Sequence, residues 1–190
     1  MYKKIPYKTG RQLLDRFSSS DEAQELITEE LNVHDSIQAL LDNKLYFDLV
    51  QLIAHGLPVR EAIWWAAHSL ELRNDVWSTM QKQCISTAKQ WVKSPSEEHR
   101  RKSELFANRL NLNCGPSWLA QAVFWNGSGS IVAPDLPNVK PDPFLYSKAV
   151  AGSVNHSAAL PNWEGTNDYY QQAIHIALEI ASGNTSKEES

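Results

Sequence analysis

Hydrophobic residues recur along this chain at steps of three and four, the spacing that places side chains on one face of an α-helix. The first stripe follows Ser20-Asp21-Glu22, where a serine can cap the helix and two acidic side chains favour its N-terminus. Comparable stripes continue to Ser182 and predict about nine short to medium helices. Their main apolar positions are Leu26, Ile27, Leu31, Ile37, Leu40, Leu49, Ile53, Ile63, Leu70, Met80, Cys84, Trp91, Phe106, Leu110, Leu119, Val123, Ala149, Ala173 and Ile174.

Short breaks separate these stripes. We expect Gly56 to stop one helix and Pro58 to lie in the first turn of the next, where a missing N–H is tolerated. No segment alternates apolar and polar residues between hairpin turns, as a half-buried strand does. The sequence therefore predicts an all-α protein built of helical hairpins, and it contains no convincing repeat of fixed period.

A Pro-rich segment at residues 127–143 interrupts the series of helices. Four of the nine prolines lie at positions 134, 137, 141 and 143, so this segment does not form a regular helix. Its apolar residues make it too hydrophobic for a free linker. These residues are Ile131, Val132, Leu136 and Val139. We predict one long extended connection that packs across the helices.

Charge divides the chain into a terminal arm, a domain and a tail. Residues 1–19 contain five basic side chains and one acidic side chain, which predicts a loosely held basic arm, with docking on an acidic surface as the alternative. Residues 20–182 are expected to form a single helical domain, and residues 183–190 a disordered tail. The basic run Arg100-Arg101-Lys102 lies beside several glutamates and is expected to form a solvated helix face.

Composition excludes several classes of protein. A chain of 190 residues that is 42% hydrophobic can bury a core without metals or disulfides. The net charge of −4 argues against a general nucleic-acid binder. Of the two cysteines, Cys84 is expected to be a buried thiol and Cys114 to belong to a turn. No signal peptide or spanning helix is recognisable, so we expect a cytoplasmic protein without membrane insertion.

The histidines and acidic residues offer little catalytic chemistry. Glu61 and His68 lie on one helix face two turns apart, and together with His156 they are the candidates for an acid–base pocket. His68 and Glu71, three residues apart, are instead expected to form a surface contact. No set of three or four ligands with metal-site spacing is present. The sequence therefore assigns no catalytic residue, metal ligand or cofactor.

The tryptophans are the most informative side chains. Trp64 and Trp65 are adjacent and point about 100° apart on a helix, so both are buried only if that helix is covered on two sides. Trp118 and Trp125 are seven residues apart and share a face. Each tryptophan belongs either to the core or to a binding surface, where aromatic anchors dominate affinity. The candidate protein-binding residues are Arg60, Glu61, Trp64, Trp65, Trp118, Trp125, Leu136 and Pro137.

Several motifs together resemble an uncharacterised family of bacterial proteins, a domain of unknown function, over about residues 45–180. They are Leu57–Ala67 (LPVREAIWWAA), Pro116–Leu119 (PSWL), Ala122–Trp125 (AVFW), Ala133–Pro137 (APDLP) and Lys148–Gly152 (KAVAG). The resemblance implies that the protein is encoded in a gene cluster for type VI secretion. It further implies an accessory or regulatory role at a contractile secretion machine, and it implies no known enzyme activity.

Three functions are therefore open. The leading hypothesis is a non-catalytic adaptor of a type VI secretion system that binds a protein partner through Arg60, Trp64 and Trp65 or through the Pro-rich segment. The second is a small helical enzyme or small-molecule sensor with a pocket near Glu61 and His68. The third is a secreted effector or an immunity protein. The sequence specifies neither the partner nor the oligomeric state.

Overall fold

The computed structural model describes residues 2–184, and its helices confirm the all-α prediction. Within these residues the only β-type pairing is an isolated antiparallel bridge between Thr9 and Asn32. The described part of the chain contains ten helices, compared with about nine predicted. They are α1 (Arg11–Leu14), α2 (Asp21–Leu26), α3 (Val33–Asp42), α4 (Tyr46–Gly56), α5 (Val59–Glu71), α6 (Thr79–Lys93), α7 (Glu97–Arg109), α8 (Gly115–Phe124), α9 (Leu145–Ala158) and α10 (Thr166–Ser182).

Polar caps begin several of these helices where the sequence predicts them. The Ser20 hydroxyl accepts a hydrogen bond from the Ala23 amide at the start of α2. The break between α4 and α5 also lies at the predicted place, because α4 ends at Gly56 and Pro58 is the N-cap of α5. These local signals need no tertiary contact, so sequence alone locates them.

The N-terminal segment differs from the loosely held arm that its charge predicts. Leu13 and Leu14 of α1 are fully buried, and Ile5 is nearly so. The Lys4 amide donates a 2.9 Å hydrogen bond to the Ala181 carbonyl near the end of α10. Burial of these three apolar side chains holds the segment against the helical domain despite its basic residues. The prediction of a loosely held arm is therefore wrong for the described residues of this segment.

Helix α5 lies at the centre of the main core. It packs against α6, α8, α9 and α10, and α9 in turn also packs against α4. Neighbouring helices from α5 to α9 contact each other in sequence order, which gives the predicted succession of helical hairpins. A helix contacted by four others must be apolar around most of its circumference, and this explains the run Ala62–Ala67.

A smaller cluster lies between α6, α7 and α8. Cys84 packs there with Phe106 and Ala120, and its thiol is 2.8 Å from the Pro116 carbonyl oxygen. Burial raises the pKa of the Cys84 thiol, so this cysteine is an unreactive core residue at neutral pH. Cys114 is also buried and is the N-cap of α8.

Gly183 ends α10 with a left-handed backbone, at φ 80°. The predicted disordered tail lies mostly outside the described residues, which end at Asn184. No helix within residues 2–184 has both the length and the apolar character required to cross a membrane.

Candidate protein-binding surface

The Pro-rich segment, residues 127–143, folds back on itself as a closed loop. The Ile131 amide donates a 2.8 Å hydrogen bond to the Val139 carbonyl. The Ser130 hydroxyl oxygen accepts from the Val139 amide at 3.1 Å. Lys140 closes the base of the loop by donating from Nζ to the carbonyls of Gly127 and Ser128. The prediction of an extended connection packed across the helices is therefore wrong, and we call this segment the Pro-rich loop.

A buried arginine of α7 holds the start of the Pro-rich loop. Arg100 is fully buried, and its guanidinium donates to the Phe124 carbonyl at 3.0 Å and to the Ser130 carbonyl at 2.9 Å. Glu97 accepts two further hydrogen bonds of 2.6 Å from the same guanidinium. The predicted solvated face is thus wrong at Arg100, because loop carbonyls and one carboxylate satisfy its charge and its donors.

The neighbouring arginine adds two more contacts. Arg101 donates from Nη2 to the carbonyls of Ser130 and Val132 at 3.2 and 2.9 Å. Hydrogen bonds from Arg100 lower the pKa of the Glu97 carboxyl, and those from Arg101 act in the same direction. The attachment of the loop to α7 therefore involves charged donors, and the Glu97 carboxylate beside them is ionised at neutral pH.

Beyond this attachment the Pro-rich loop displays apolar side chains. Leu136 is 54% exposed and Val139 is 45% exposed. Pro137 is also exposed. Of the residues predicted from the sequence to bind protein, Leu136 and Pro137 thus lie on the surface together.

The candidates on α5 are divided between the surface and the core. Arg60 is exposed and donates from Nε to the Val92 carbonyl at the end of α6, at 3.0 Å. Glu61 forms a 3.0 Å ion pair with Lys4. Trp64 is half-buried, whereas Trp65 is fully buried. Trp65 therefore belongs to the core, and its assignment to a binding surface is corrected.

Trp64 faces a seam between α5 and α6. Its ring meets the His68 ring edge-on at 4.4 Å between centroids, and Lys89 Nζ lies 5.2 Å from the Trp64 ring centroid. Glu71 accepts from His68 at 3.0 Å and from Lys89 at 2.8 Å. The expected surface contact between His68 and Glu71 is confirmed. The hydrogen bond from His68, with a further one from Lys89, lowers the pKa of Glu71 to about 2 despite partial burial.

The remaining tryptophan candidates contribute mainly to packing. Trp118 on α8 is half-buried and lies against Gly152 of α9. Trp125, the C-cap of α8, is also half-buried against the main core. Both side chains pack against the main core, and neither is strongly exposed.

The residues of the acid–base alternative do not form one site. Glu61 pairs with Lys4, whereas His68 pairs with Glu71 about two to three turns further along α5. His156 is exposed on α9, on a different helix from the other two. Among residues 2–184, no three His, Cys, Asp or Glu side chains come together in an arrangement that could hold a metal ion.

Two surface grooves lie elsewhere. One, of about 310 Å³, lies along the seam between α5 and α6. The other, of about 420 Å³, lies between α10 and the junction of α3 and α4. Its lining is mostly apolar, with Leu41, Tyr46 and Ile174, and it also includes Lys44 and His175. Neither groove is lined by Glu61, His68 or His156.

Sequence reasoning missed Trp163, which is 73% exposed. It lies in the turn between α9 and α10 with a positive φ of 68°. Arg73 donates to the Glu164 and Gly165 carbonyls beside it, and the Thr166 hydroxyl donates to the Trp163 carbonyl at 2.7 Å. The position of a tryptophan within a polar turn could have indicated this exposure, because such a turn has few neighbouring side chains that cover a large ring.

Comparison with known proteins adds a family to this description. No match to the chain was found among curated proteins or among solved structures. Residues 36–181 match a family of unknown function, DUF6931, and this range covers most of the chain from α3 to the end of α10. The resemblance to an uncharacterised family is confirmed at this level, and the chain belongs to the DUF6931 family of unknown function.

Proposed function

We propose that this protein is a non-catalytic adaptor that docks on another protein through its Pro-rich loop. We further propose that it works in the bacterial cytoplasm as an accessory component of a type VI secretion system. The secretion context rests on the family resemblance of the sequence motifs. The mode of action rests on the geometry of the loop.

One observation carries the proposal: a fully buried arginine holds a loop that leaves apolar side chains in water. Leu136 and Val139 are about half exposed, while Arg100 fixes the Ser130 carbonyl at the start of the same loop. Apolar groups on an ordered loop are typical binding anchors. A segment already held in one conformation also loses less conformational entropy when a partner binds.

The test is crosslinking and affinity capture from bacteria with an active type VI secretion cluster. The bait is the full chain, either wild type or with the double substitution Leu136→Asp/Val139→Asp. We expect the wild type to recover a sheath, baseplate or membrane-complex protein. The double variant should lose it, because two carboxylates replace the apolar contact.

A matched control is available on α7. Leu105 is 56% exposed and lies outside the loop, so Leu105→Asp introduces a charge at an equally exposed apolar position. This variant should retain the partner, and circular dichroism should show that all three baits are folded. If actively secreting cells yield no secretion component, or if the loop variant retains it, the proposal fails.

A further inference from the structure

A stripe of basic side chains follows the seam between α5 and α6. We call it the basic seam and define it as Arg60, Trp64, His68, Lys82, Lys89 and Lys93. The three lysines are spaced by seven and four residues, which places them on one face of α6. All three line the 310 Å³ groove, together with Glu71.

Charge along the seam is opposite to that of the whole chain. Arg60, Lys82, Lys89 and Lys93 contribute four basic side chains, and Glu71 is the single acidic side chain that residues 2–184 contribute to the lining of the groove. The described side chains of the seam thus have a positive net charge on a chain whose total is −4. Such a local reversal of sign attracts anionic groups to this surface rather than to its surroundings.

An aromatic side chain lies within this charged stripe. Two cations lie over the half-buried Trp64 ring, with Lys89 Nζ at 5.2 Å and Lys93 Nζ at 5.9 Å from its centroid. Glu71 holds Lys89 and His68 beside the ring. The seam therefore offers a partner both cationic groups and the face of an aromatic ring.

The dimensions of the seam match a short polypeptide segment. From Lys82 to Lys93 the helix rises about 16 Å, at 1.5 Å per residue. An extended segment of about five residues spans the same length. A nucleic acid would place a continuous row of phosphates near a chain of net negative charge, which is unfavourable outside so short a stripe.

From these observations we propose that the basic seam binds an acidic polypeptide segment of a partner protein, with carboxylates at the lysines and an apolar contact at Trp64. This inference builds on the proposed protein-binding function and names the chemistry of a second contact. The seam shares no residue with the Pro-rich loop. The two surfaces can therefore be tested separately.

The experiment measures binding of a glutamate peptide to the full chain by calorimetry and by NMR. The probe has about twelve glutamates, long enough to cover the seam as a helix or as a strand. We expect binding at low salt that weakens as salt is added, because the contacts are exposed charges. The indole N–H signal of Trp64, assigned with the variant Trp64→Phe, should shift during the titration.

Two triple variants with equal net charge locate the site. Lys82→Gln/Lys89→Gln/Lys93→Gln removes the cations of the seam, and we expect affinity for the peptide to fall at least about tenfold. The control neutralises three exposed lysines elsewhere and should change affinity by less than about twofold. Its substitutions are Lys8→Gln, Lys102→Gln and Lys148→Gln.

Four results would overturn the inference. They are absence of binding at low salt, equal losses in the two triple variants, tighter binding of duplex DNA of matched charge, and saturation of the site by inorganic phosphate alone.

A variant with Leu136→Asp/Val139→Asp should still bind the peptide. If that variant loses its cellular partner but keeps the peptide, the loop and the seam are independent contacts. If no secretion component is captured although the peptide binds, only the proposed cellular role fails.

Discussion

The indole N–H of Trp65 donates a 2.7 Å hydrogen bond to the carbonyl oxygen of Ala173, 108 residues further along the chain. This contact joins the centre of α5 to α10 and satisfies the one polar atom of a fully buried ring. The adjacent Trp64 lies in the basic seam instead. One dipeptide therefore supplies a core residue and a surface residue, and only the surface one can contact a partner directly.

Truncation of Trp65 should destabilise the fold. We expect Trp65→Ala to lower the free energy of unfolding by about 3–5 kcal/mol, because it leaves a large cavity and an unpaired carbonyl in α10. Urea denaturation monitored by circular dichroism measures this. Trp64→Ala serves as the control and should cost about 1 kcal/mol or less. Equal losses at the two positions would contradict the assignment of Trp65 to the core.

Replacement of Arg100 should release the Pro-rich loop. Arg100→Met keeps the buried aliphatic volume but removes the donors to Phe124 and Ser130, at a cost of about 1–3 kcal/mol for the unpaired groups. We expect faster amide hydrogen exchange across residues 127–143, measured by mass spectrometry. Arg109→Met, at an exposed position on the same helix, should leave that exchange unchanged. Unaltered exchange in Arg100→Met would show that Arg101 and the internal hydrogen bonds hold the loop without Arg100.

Sequence alone predicts the helices and their ends because those signals are local. Ser20 caps α2 and Gly56 ends α4 through groups only a few residues away. The partners of Arg100 are different in kind. Besides Glu97, they are the backbone carbonyls of Phe124 at the end of α8 and of Ser130 in the Pro-rich loop, 24 and 30 residues distant, and they leave no mark on the pattern of side chains. A run of basic residues therefore predicts a solvated helix face, because the sequence does not show that the Pro-rich loop packs against it.

The candidate surface could be predicted only in part for a related reason. Periodicity shows that Trp64 and Trp65 point in different directions, but it does not show which side α10 covers. The spacing of the three lysines along α6 is visible in the sequence. The sequence does not show, however, that Trp64 of a neighbouring helix lies beside them. Trp163 has no periodic context at all, and its exposure follows from the path of the turn.

His55 links the stability of the core to pH. Its Nδ1 atom lies 2.8 Å from the Gln51 carbonyl, while its Nε2 atom is buried and has no hydrogen-bond partner among residues 2–184. The ring stacks on Phe17. Burial lowers the pKa of His55 to about 4, and the charges of Lys148 and Arg16 act in the same direction. The folded protein therefore holds this imidazole neutral at pH values where the unfolded chain would protonate it.

Stability should accordingly fall as the pH is lowered from about 6.5 to about 4. Between these pH values the unfolded state binds more protons at His55 than the folded state does. The contribution of His55 to the free energy of unfolding is therefore full above pH 6.5, and it is lost as the pH falls toward the pKa of His55 in the folded state. We expect a loss of about 2 kcal/mol from this residue between pH 7 and pH 4.5. Urea titrations of His55→Gln should lack this slope, whereas the exposed His156→Gln should retain it. A slope shared by both variants would assign the effect to other groups.

Two glycines of the helical core have opposite surroundings. A Cβ on Gly115, at the start of α8, would overlap the Ser157 hydroxyl and lie 2.6 Å from Leu70 Cδ2. A Cβ on Gly152, inside α9, would have Trp118 as its nearest neighbour at 3.6 Å, an ordinary van der Waals distance. Of the two, only Gly115 lies where α8 approaches α9 and α5 too closely for a side chain.

The same substitution should therefore change stability in opposite directions at the two positions. Gly115→Ala is expected to lower the free energy of unfolding by about 1–3 kcal/mol, because the buried contacts around it leave little room to shift. Gly152→Ala is expected to raise it by about 0.5–1 kcal/mol, since alanine loses less conformational freedom than glycine in a helix interior. Urea denaturation of the two variants beside the wild type measures both signs. Destabilisation by Gly152→Ala as large as that by Gly115→Ala would mean that α8 and α9 pack more tightly at Trp118 than this structure has them.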